Sequence, residues 1–151
     1  AEYHIDADEY LAFVHDVPLR DYLAPSPALD AMLSRIPLPK VIFTNADVPH
    51  ARRVMQCLGV AQHFPVIVDI HALRFNCKPE PAAYRLLLET LGAPGSACIL
   101  VEDSARNLRP ARELYGMTTV LVDGRQADGI DYVIGHLFEL EELISRLIRR
   151  V

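Results

Sequence analysis

The stretch "CILVEDSARN", residues 98–107, sets an apolar run directly against two adjacent carboxylates, Glu102 and Asp103. An unbroken apolar run of this length is typical of a strand that is buried on both faces of a parallel sheet. Two neighbouring carboxylates at the end of such a strand repel each other unless a cation or a set of hydrogen-bond donors offsets their charge. The stretch therefore predicts a strand and, at its carboxyl end, a functional site in which a cation or hydrogen-bond donors offset the charge of the two acids.

Four further apolar runs alternate with helical patterns along the chain. The runs cover residues 40–44, 65–70, 118–122 and, more weakly, 131–135. Apolar residues recur at helical spacing at Tyr84, Leu87, Leu88 and Leu91, at Leu108, Ala111 and Tyr115, and at Leu140, Leu143, Ile144 and Leu147. Gly59, Gly92 and Gly116 stand where helices should end. This order predicts an α/β fold with a mostly parallel, Rossmann-like sheet and helices on both faces.

The first 37 residues differ from the rest and predict helices alone. Two amphipathic stripes, separated by "APSP" at 24–27, are formed by Tyr10, Phe13, Val14 and Val17 and by Ala28, Met32 and Ile36. Asp6 stands before the first stripe as a helix N-cap, with Glu9 completing a capping box. We expect this segment to lead into the α/β domain.

Composition excludes several classes of protein. A chain of 151 residues, 51% of them hydrophobic, can build one substantial core. Its net charge of -5 argues against a nucleic-acid partner, because such binding depends on clustered Lys and Arg. The three cysteines form no CxxC pair, which favours a reducing cytoplasm, and no apolar stretch approaches the roughly 20 residues needed to cross a bilayer.

Polar residues follow the strand "VIFTN". Ligands in open parallel sheets bind beyond the carboxyl ends of the strands. The Thr44 hydroxyl and the backbone N–H groups of Asn45 and Ala46, at the start of a helix, form a suitable donor set for a phosphate oxygen. The alternative is that Asn45 or Asp47 only caps that helix.

Lys78 stands in "NCKPEPAAYRLLLE" immediately before a helix start that contains Pro79 and Pro81. The prolines would hold the lysine at the mouth of the helix, where its charge opposes the helix dipole unless an anion is near. In the functional interpretation, Lys78 neutralises the charge of a phosphate and restrains a carboxylate nucleophile. A solvated surface lysine is the alternative.

Mg²⁺ would resolve the repulsion between the paired acids. This ion takes oxygen ligands, keeps several waters and typically binds one or two carboxylates together with substrate phosphate. We expect Asp103 to ligate the metal directly and Glu102 to orient a metal-bound water. Ser104 and Asn107 would fix the turn and the helix start, although Asp103 or Ser104 could instead serve only as a helix cap.

Together these motifs resemble the haloacid dehalogenase-like (HAD) hydrolase superfamily. The family signature runs from a strand ending in DxDxT, through a strand ending in Thr or Ser and a Lys at a helix start, to a strand ending in paired acids. The second, third and fourth parts match Thr44, Lys78, and Glu102 with Asp103, in that order. The segments "YHIDADEYLAFVHDVPL", "KVIFTNAD" and "VEDSARNLRPARELYGMTTVLV" are similar to the pyrimidine 5'-nucleotidase branch.

The resemblance implies a Mg²⁺-dependent phosphatase that hydrolyses a small phosphate monoester, such as a nucleoside 5'-monophosphate, through an aspartyl-phosphate. Residues 1–25 would be the last part of a helical cap, and residues 26–151 the HAD-like core. Thr44 and Lys78 would be catalytic. The phosphate would be bound by Thr44, Asn45, Ala46, Lys78 and Asn107.

The nucleophile of that signature has no counterpart in this sequence. The DxD formed by Asp6 and Asp8 is followed by helical periodicity rather than by a turn and Thr, so the helix-cap interpretation is preferred. Asp69 has neither the spacing nor the partner aspartate, and Asp47, two residues after Asn45, fits the substrate-side loop better. The chain therefore resembles the family without its first strand, and the sheet should either close up in a changed order or keep unpaired edges. By itself the chain should be nearly inactive.

Two other functions stay open from the sequence. A truncated, inactive relative could act as a binding or interaction module, and its exposed sheet edge could support self-association. A flavodoxin-like response-regulator domain also needs an acidic site and a lysine, but no internal strand ends convincingly in a phosphate-accepting aspartate.

Overall fold

The computed structural model describes residues 6–122, 125 and 127–149. The helices are α1 (Ala7–His15), α2 (Pro27–Arg35), α3 (Val48–Leu58), α4 (Pro81–Leu91), α5 (Ala105–Tyr115) and α6 (Leu140–Ile148). The strands are β1 (Val41–Phe43), β2 (Val66–Val68), β3 (Ile99–Glu102), β4 (Thr118–Val122) and β5 (Tyr132–Ile134). All five predicted strands and the predicted order of strands and helices are confirmed.

The strands form two parallel sheets. In the first sheet β1 pairs with β2 in the register Val41 to Val66, and in the second β4 lies between β3 and β5. Within the described residues, β1 and β3 therefore each keep one unpaired edge. Of the two outcomes left open by the sequence, the structure shows unpaired edges rather than a closed, reordered sheet.

The two sheets nevertheless share their hydrophobic cores. Ile42 of β1 and Val101 of β3 pack against one core, which α2, α3 and α6 cover. Phe43 of β1 and Leu100 of β3 pack against the other core, which α4 and α5 cover. Because side chains alternate between the faces of a strand, this arrangement places β1 and β3 in one layer with the same two faces. The α/β prediction with helices on both faces is confirmed.

Caps define the helix ends. Asp6 accepts hydrogen bonds from the N–H groups of Asp8 and Glu9, so its predicted role as the N-cap of α1 is confirmed. Gly59, Gly92 and Gly116 are the C-caps of α3, α4 and α5, each in the left-handed conformation, which confirms the three predicted helix stops.

Helix α1 is attached to the core mainly by polar contacts. It has no buried residue, and its predicted apolar stripe lies open, with 54% of Tyr10 and 81% of Phe13 exposed. The Arg53 guanidinium of α3 donates to the carbonyl oxygens of His15, at 3.1 Å, and Val17, at 2.9 Å. The predicted helix is thus confirmed, but its apolar face is uncovered in the described part of the chain.

The other N-terminal stripe is buried at Met32 and Ile36, whereas Ala28 is exposed. Met32 of α2 is 1% exposed and Ile36 is 7% exposed, and both belong to the core that α6 completes. Residues 1–5 of the expected cap segment lie outside the described residues. None of the described helices is long and apolar enough to cross a membrane.

Gly95 is a position where any side chain would collide with the backbone. A Cβ built there would lie 1.9 Å from the carbonyl oxygen of Tyr115. We expect Gly95→Ala to lower the free energy of unfolding by about 3 kcal/mol, the upper end of the usual cost of overpacking, measured by urea denaturation.

Gly92→Ala is the matched control for this clash. Gly92 has φ +60° with nothing within 4 Å of a built Cβ, so only the left-handed backbone opposes the alanine, at about 1 kcal/mol. Equal losses in the two variants would contradict the steric explanation.

Candidate active site

The site lies at the carboxyl ends of β1 and β3. Thr44 continues β1, and its N–H donates to the carbonyl of Val68 at 3.0 Å. The Thr44 Oγ1 accepts a hydrogen bond from the Ala46 N–H at 3.0 Å, which shapes the loop between β1 and α3. The hydroxyl proton of Thr44 remains available for donation to a ligand.

Asn45 ties this loop to the lysine segment. Its Nδ2 donates to the Lys78 carbonyl at 3.2 Å, and its Oδ1 accepts from the Lys78 N–H at 2.8 Å. Asp47 caps α3 by accepting from the His50 N–H at 2.8 Å. The helix-cap alternative therefore applies to Asp47, whereas the Asn45 amide positions Lys78.

The ammonium group of Lys78 contacts the ends of both β1 and β3, which do not pair with each other. Its Nζ lies 2.8 Å from Glu102 Oε2 and donates to the Phe43 carbonyl at 2.9 Å. The Lys78 and Glu102 side chains are 9% and 12% exposed, so this is a largely buried ion pair. The alternative of a solvated surface lysine is wrong.

A chain of hydrogen bonds continues from Glu102. Its Oε1 accepts from Asn107 Nδ2 at 2.9 Å, and the Tyr84 hydroxyl donates to the Asn107 carbonyl. Burial raises the pKa of Tyr84, and the negative charge of Glu102 raises it further, so the phenol stays protonated as a donor. Both oxygens of Glu102 are thus engaged within the protein.

Asp103 stands apart from this network. It is exposed at the end of β3, and Ser104 occupies the N-cap position of α5 without a side-chain cap bond. Among the described residues, no group of three or more His, Cys, Asp or Glu is arranged to hold a metal ion. One free carboxylate beside a phosphate site still fits Mg²⁺, which takes much of its coordination from water and substrate.

Asp69 stabilises the loop between β1 and α3, a role that its sequence pattern did not predict. It is 5% exposed, and its two oxygens accept from the N–H groups of Val48, at 3.1 Å, and Ala72, at 2.9 Å. The Ile70 N–H also donates to the Ala46 carbonyl. Asp69 thereby holds the Thr44 loop against the segment that leads to Lys78.

A pair of histidines beside the Thr44 loop was also missed. The rings of His15 and His50 stack with centroids 4.1 Å apart, and His15 Nδ1 lies 3.3 Å from Asp47 Oδ1. Burial lowers the pKa of His50, and the positive charges of His15 and Arg53 lower it further, while Asp47 opposes them. The contacts link residues about 35 positions apart, so no local pattern announces them.

Comparison with known proteins agrees with this geometry. The model of the haloacid dehalogenase-like hydrolase family matches residues 2–114. The chain is 29% identical to phosphatase MT3486 of Mycobacterium tuberculosis, over 81% of this chain and 54% of that protein. The chain spans about half the length of the curated relatives it matches.

Solved structures show the same fold. An L-2-haloacid dehalogenase from Xanthobacter autotrophicus superposes with a TM-score of 0.72 at 17% identity, covering 95% of this chain and 69% of that chain. YfnB from Bacillus subtilis, a putative HAD-hydrolase bound to magnesium, superposes with a TM-score of 0.70 at 17% identity, covering 91% and 60%.

The Lys78–Glu102 pair should be strongly coupled. Lys78→Met leaves a largely buried carboxylate without its cation and should lower the free energy of unfolding by about 3 kcal/mol. In a double-mutant cycle with Glu102→Gln, measured by urea denaturation, we expect a coupling energy of about 2 kcal/mol.

The exposed pair Arg85 and Glu89 on α4 is the control for that cycle. Its side chains are 56% and 55% exposed, so Arg85→Met and Glu89→Gln should show a coupling of only about 0.3 kcal/mol. Equal coupling in the two pairs would contradict the burial argument.

His50 should make stability depend on pH. Because its folded pKa lies below the unfolded value, the unfolded chain binds more protons as the pH falls below about 6.5, and the free energy of unfolding decreases there. In denaturation curves recorded from pH 5 to 8, His50→Gln should make the free energy of unfolding depend less on pH. His136→Gln, which replaces an exposed histidine, should not change that dependence. An unchanged slope in the His50 variant would contradict the assignment.

Proposed function

Because the chain belongs to the haloacid dehalogenase-like hydrolase family, we propose that it supplies the phosphate-binding and metal-binding part of a Mg²⁺-dependent phosphatase. The observation that carries the proposal is the Lys78 ammonium group, held between Glu102 and the end of β1. A fixed, largely buried cation next to the Thr44 loop suits the negative charge of a phosphate monoester.

The residues divide into those that meet the phosphate and those that position them. The Thr44 hydroxyl donates to a phosphate oxygen, together with the backbone N–H group of Asn45, and Lys78 balances the charge. The Ala46 N–H, also expected to bind phosphate, donates to Thr44 Oγ1 and so positions that hydroxyl. Asn45 and Asn107 were expected to bind phosphate directly, but their side-chain amides bond to Lys78 and Glu102, so we assign them positioning roles. Asp103 holds Mg²⁺, which when bound would neutralise phosphoryl oxygens.

The attacking carboxylate is proposed to come from a strand outside residues 1–151. The unpaired edges of β1 and β3 lie in one layer, share both cores and are joined across their ends by Lys78. In the described chain, the hydrogen-bond partners of that ammonium group are a glutamate and a carbonyl, not an aspartate. A parallel strand ending in Asp would pair with both edges and place its carboxylate near Lys78.

The chemistry follows the resemblance. The incoming Asp attacks phosphorus to form an aspartyl-phosphate, a second Asp two residues later protonates the leaving oxygen, and the same group then activates the water that hydrolyses the intermediate. A nucleoside 5'-monophosphate is the proposed substrate, because the segments around Thr44 and Glu102 resemble the pyrimidine nucleotidase branch. Residues 1–25 would belong to the cap above the site.

A binding module is the second candidate, favoured by the same unpaired edges. If no nucleophile strand enters from the same protein, β1 and β3 could pair with a strand from another copy of the chain. Light scattering at increasing concentration tests this, and a monomer at all concentrations would exclude self-association.

The phosphatase proposal is tested by assaying the 151-residue chain beside the longer product of its gene. We expect Mg²⁺-dependent hydrolysis of uridine 5'-monophosphate by the longer protein, and a rate on the order of 10⁶ lower for the chain alone, because the nucleophile is missing. Phosphate release with and without EDTA measures both.

Variants of the longer protein assign the roles. Lys78→Met should lower kcat/KM by about 10²–10³. Arg85→Met, which removes an exposed cation on α4, should leave kcat/KM unchanged. Turnover by the short chain alone would refute the missing nucleophile, and a longer protein that hydrolyses no phosphate ester would refute the phosphatase.

A further inference from the structure

A cavity of about 770 Å³ opens beside the Thr44 loop, between α1 and the start of α3. Asp47 and His50, which line it, follow the loop within the first turn of α3, and His71 comes two residues after Asp69. The cavity is lined by Asp8, Ala12, Phe13, His15, Asp16, Asp47, Pro49, His50, Arg53 and His71. A group esterified to a phosphate at Thr44 would extend toward this space.

The charges around the cavity are mainly negative. Three carboxylates line it, those of Asp8, Asp16 and Asp47. The lining arginine, Arg53, already donates to two backbone carbonyls of the α1 end. His71 Nε2 lies 3.2 Å from the Asp8 carboxylate. The carbonyl oxygens bonded to Arg53 carry no charge, so Arg53 stays positive, and with neutral histidines one arginine stands against three aspartates in the described lining.

The stacked rings of His15 and His50 form one wall of the cavity. Two protonated rings 4.1 Å apart and close to Arg53 would repel one another, and burial also favours the neutral form of His50. A neutral imidazole has one donor and one acceptor nitrogen. The Nδ1 atoms of both rings are buried, and neither makes a hydrogen bond within the described residues.

We propose that this cavity holds the leaving group of the substrate and selects hydroxyl-bearing groups, uncharged or cationic, against groups that carry a carboxylate. The inference rests on the proposed phosphatase function and narrows its substrate class. A second anion in the cavity would face three aspartates and a single arginine among the described lining residues. Hydroxyl groups would instead donate to the aspartate oxygens, beside the imidazole rings of the lining.

Asp47→Asn separates charge from structure. Asparagine caps helices as well as aspartate does, so α3 should keep its N-terminus while the cavity loses one negative charge. Asp6→Asn is the matched control, since Asp6 also caps a helix, α1, but does not line the cavity.

The experiment compares phosphate esters of similar size on the longer, active protein. Glycerol 1-phosphate has an uncharged leaving group, phosphoethanolamine a cationic one and phosphoglycolate an anionic one. We expect kcat/KM for each of the first two to exceed that for phosphoglycolate at least tenfold, about 1.4 kcal/mol of discrimination. Asp47→Asn should reduce the ratio about threefold or more, and Asp6→Asn should not change it.

A second measurement does not depend on turnover. Carbon-detected imidazole spectra of the 151-residue chain should shift at His15 and His50 on addition of glycerol and stay unchanged with sodium glycolate. Phosphoglycolate turnover equal to or above that of glycerol 1-phosphate, or shifts with glycolate alone, would overturn the inference and leave the phosphatase standing. If no ester is hydrolysed, the phosphatase proposal fails, and the spectra alone decide what the cavity binds.

Discussion

An ammonium group with little access to water needs anionic or carbonyl partners, and the partners of Lys78 come from two strands that do not pair with each other. Glu102 at the end of β3 and the carbonyl of Phe43 in β1 converge on its Nζ. The ion pair fixes how the two sheets are placed at their carboxyl ends. Asn45 then holds the lysine backbone from the other side, so hydrogen bonds connect the Thr44 loop, Lys78 and Glu102 into one group.

Charge is distributed in a way that separates two tasks. The cation of Lys78 is concentrated where a phosphate would sit, while the carboxylates of Asp8, Asp16 and Asp47 surround the neighbouring cavity. Asp69 is buried and bonds to the backbone of Val48 and Ala72, so it joins the start of α3 to the segment that follows β2. Under the proposed function, affinity for phosphate and selection of the rest of the substrate would therefore depend on different segments of the chain.

The sequence predicted the parts of this arrangement that depend on local pattern. Strand runs, glycine stops and the Asp6 cap follow from periodicity and backbone conformation, and the grouping of Thr44, Lys78 and Glu102 follows from the rule that ligands bind at strand ends. The direct bond between Lys78 and Glu102 was not predicted. The positioning roles of Asn45 and Asn107 could not be predicted. Their side-chain amides bond to Lys78 and Glu102, 33 and 5 residues away, and only the fold brings these groups together. Periodicity in α1 showed which residues share a face, but not that the face would stay open.

The placement of Lys78 also bears on how the chain acquires its structure. Strands β1 and β2 lie within residues 41–68, and β3, β4 and β5 within residues 99–134, so each sheet assembles from contacts that are close along the chain. The lysine stands in the connection between them, and its bonds are among the contacts that reach from one half to the other. Because both hydrophobic cores also draw on the two halves together, neither half can complete a core alone, and we expect them to unfold as one cooperative unit.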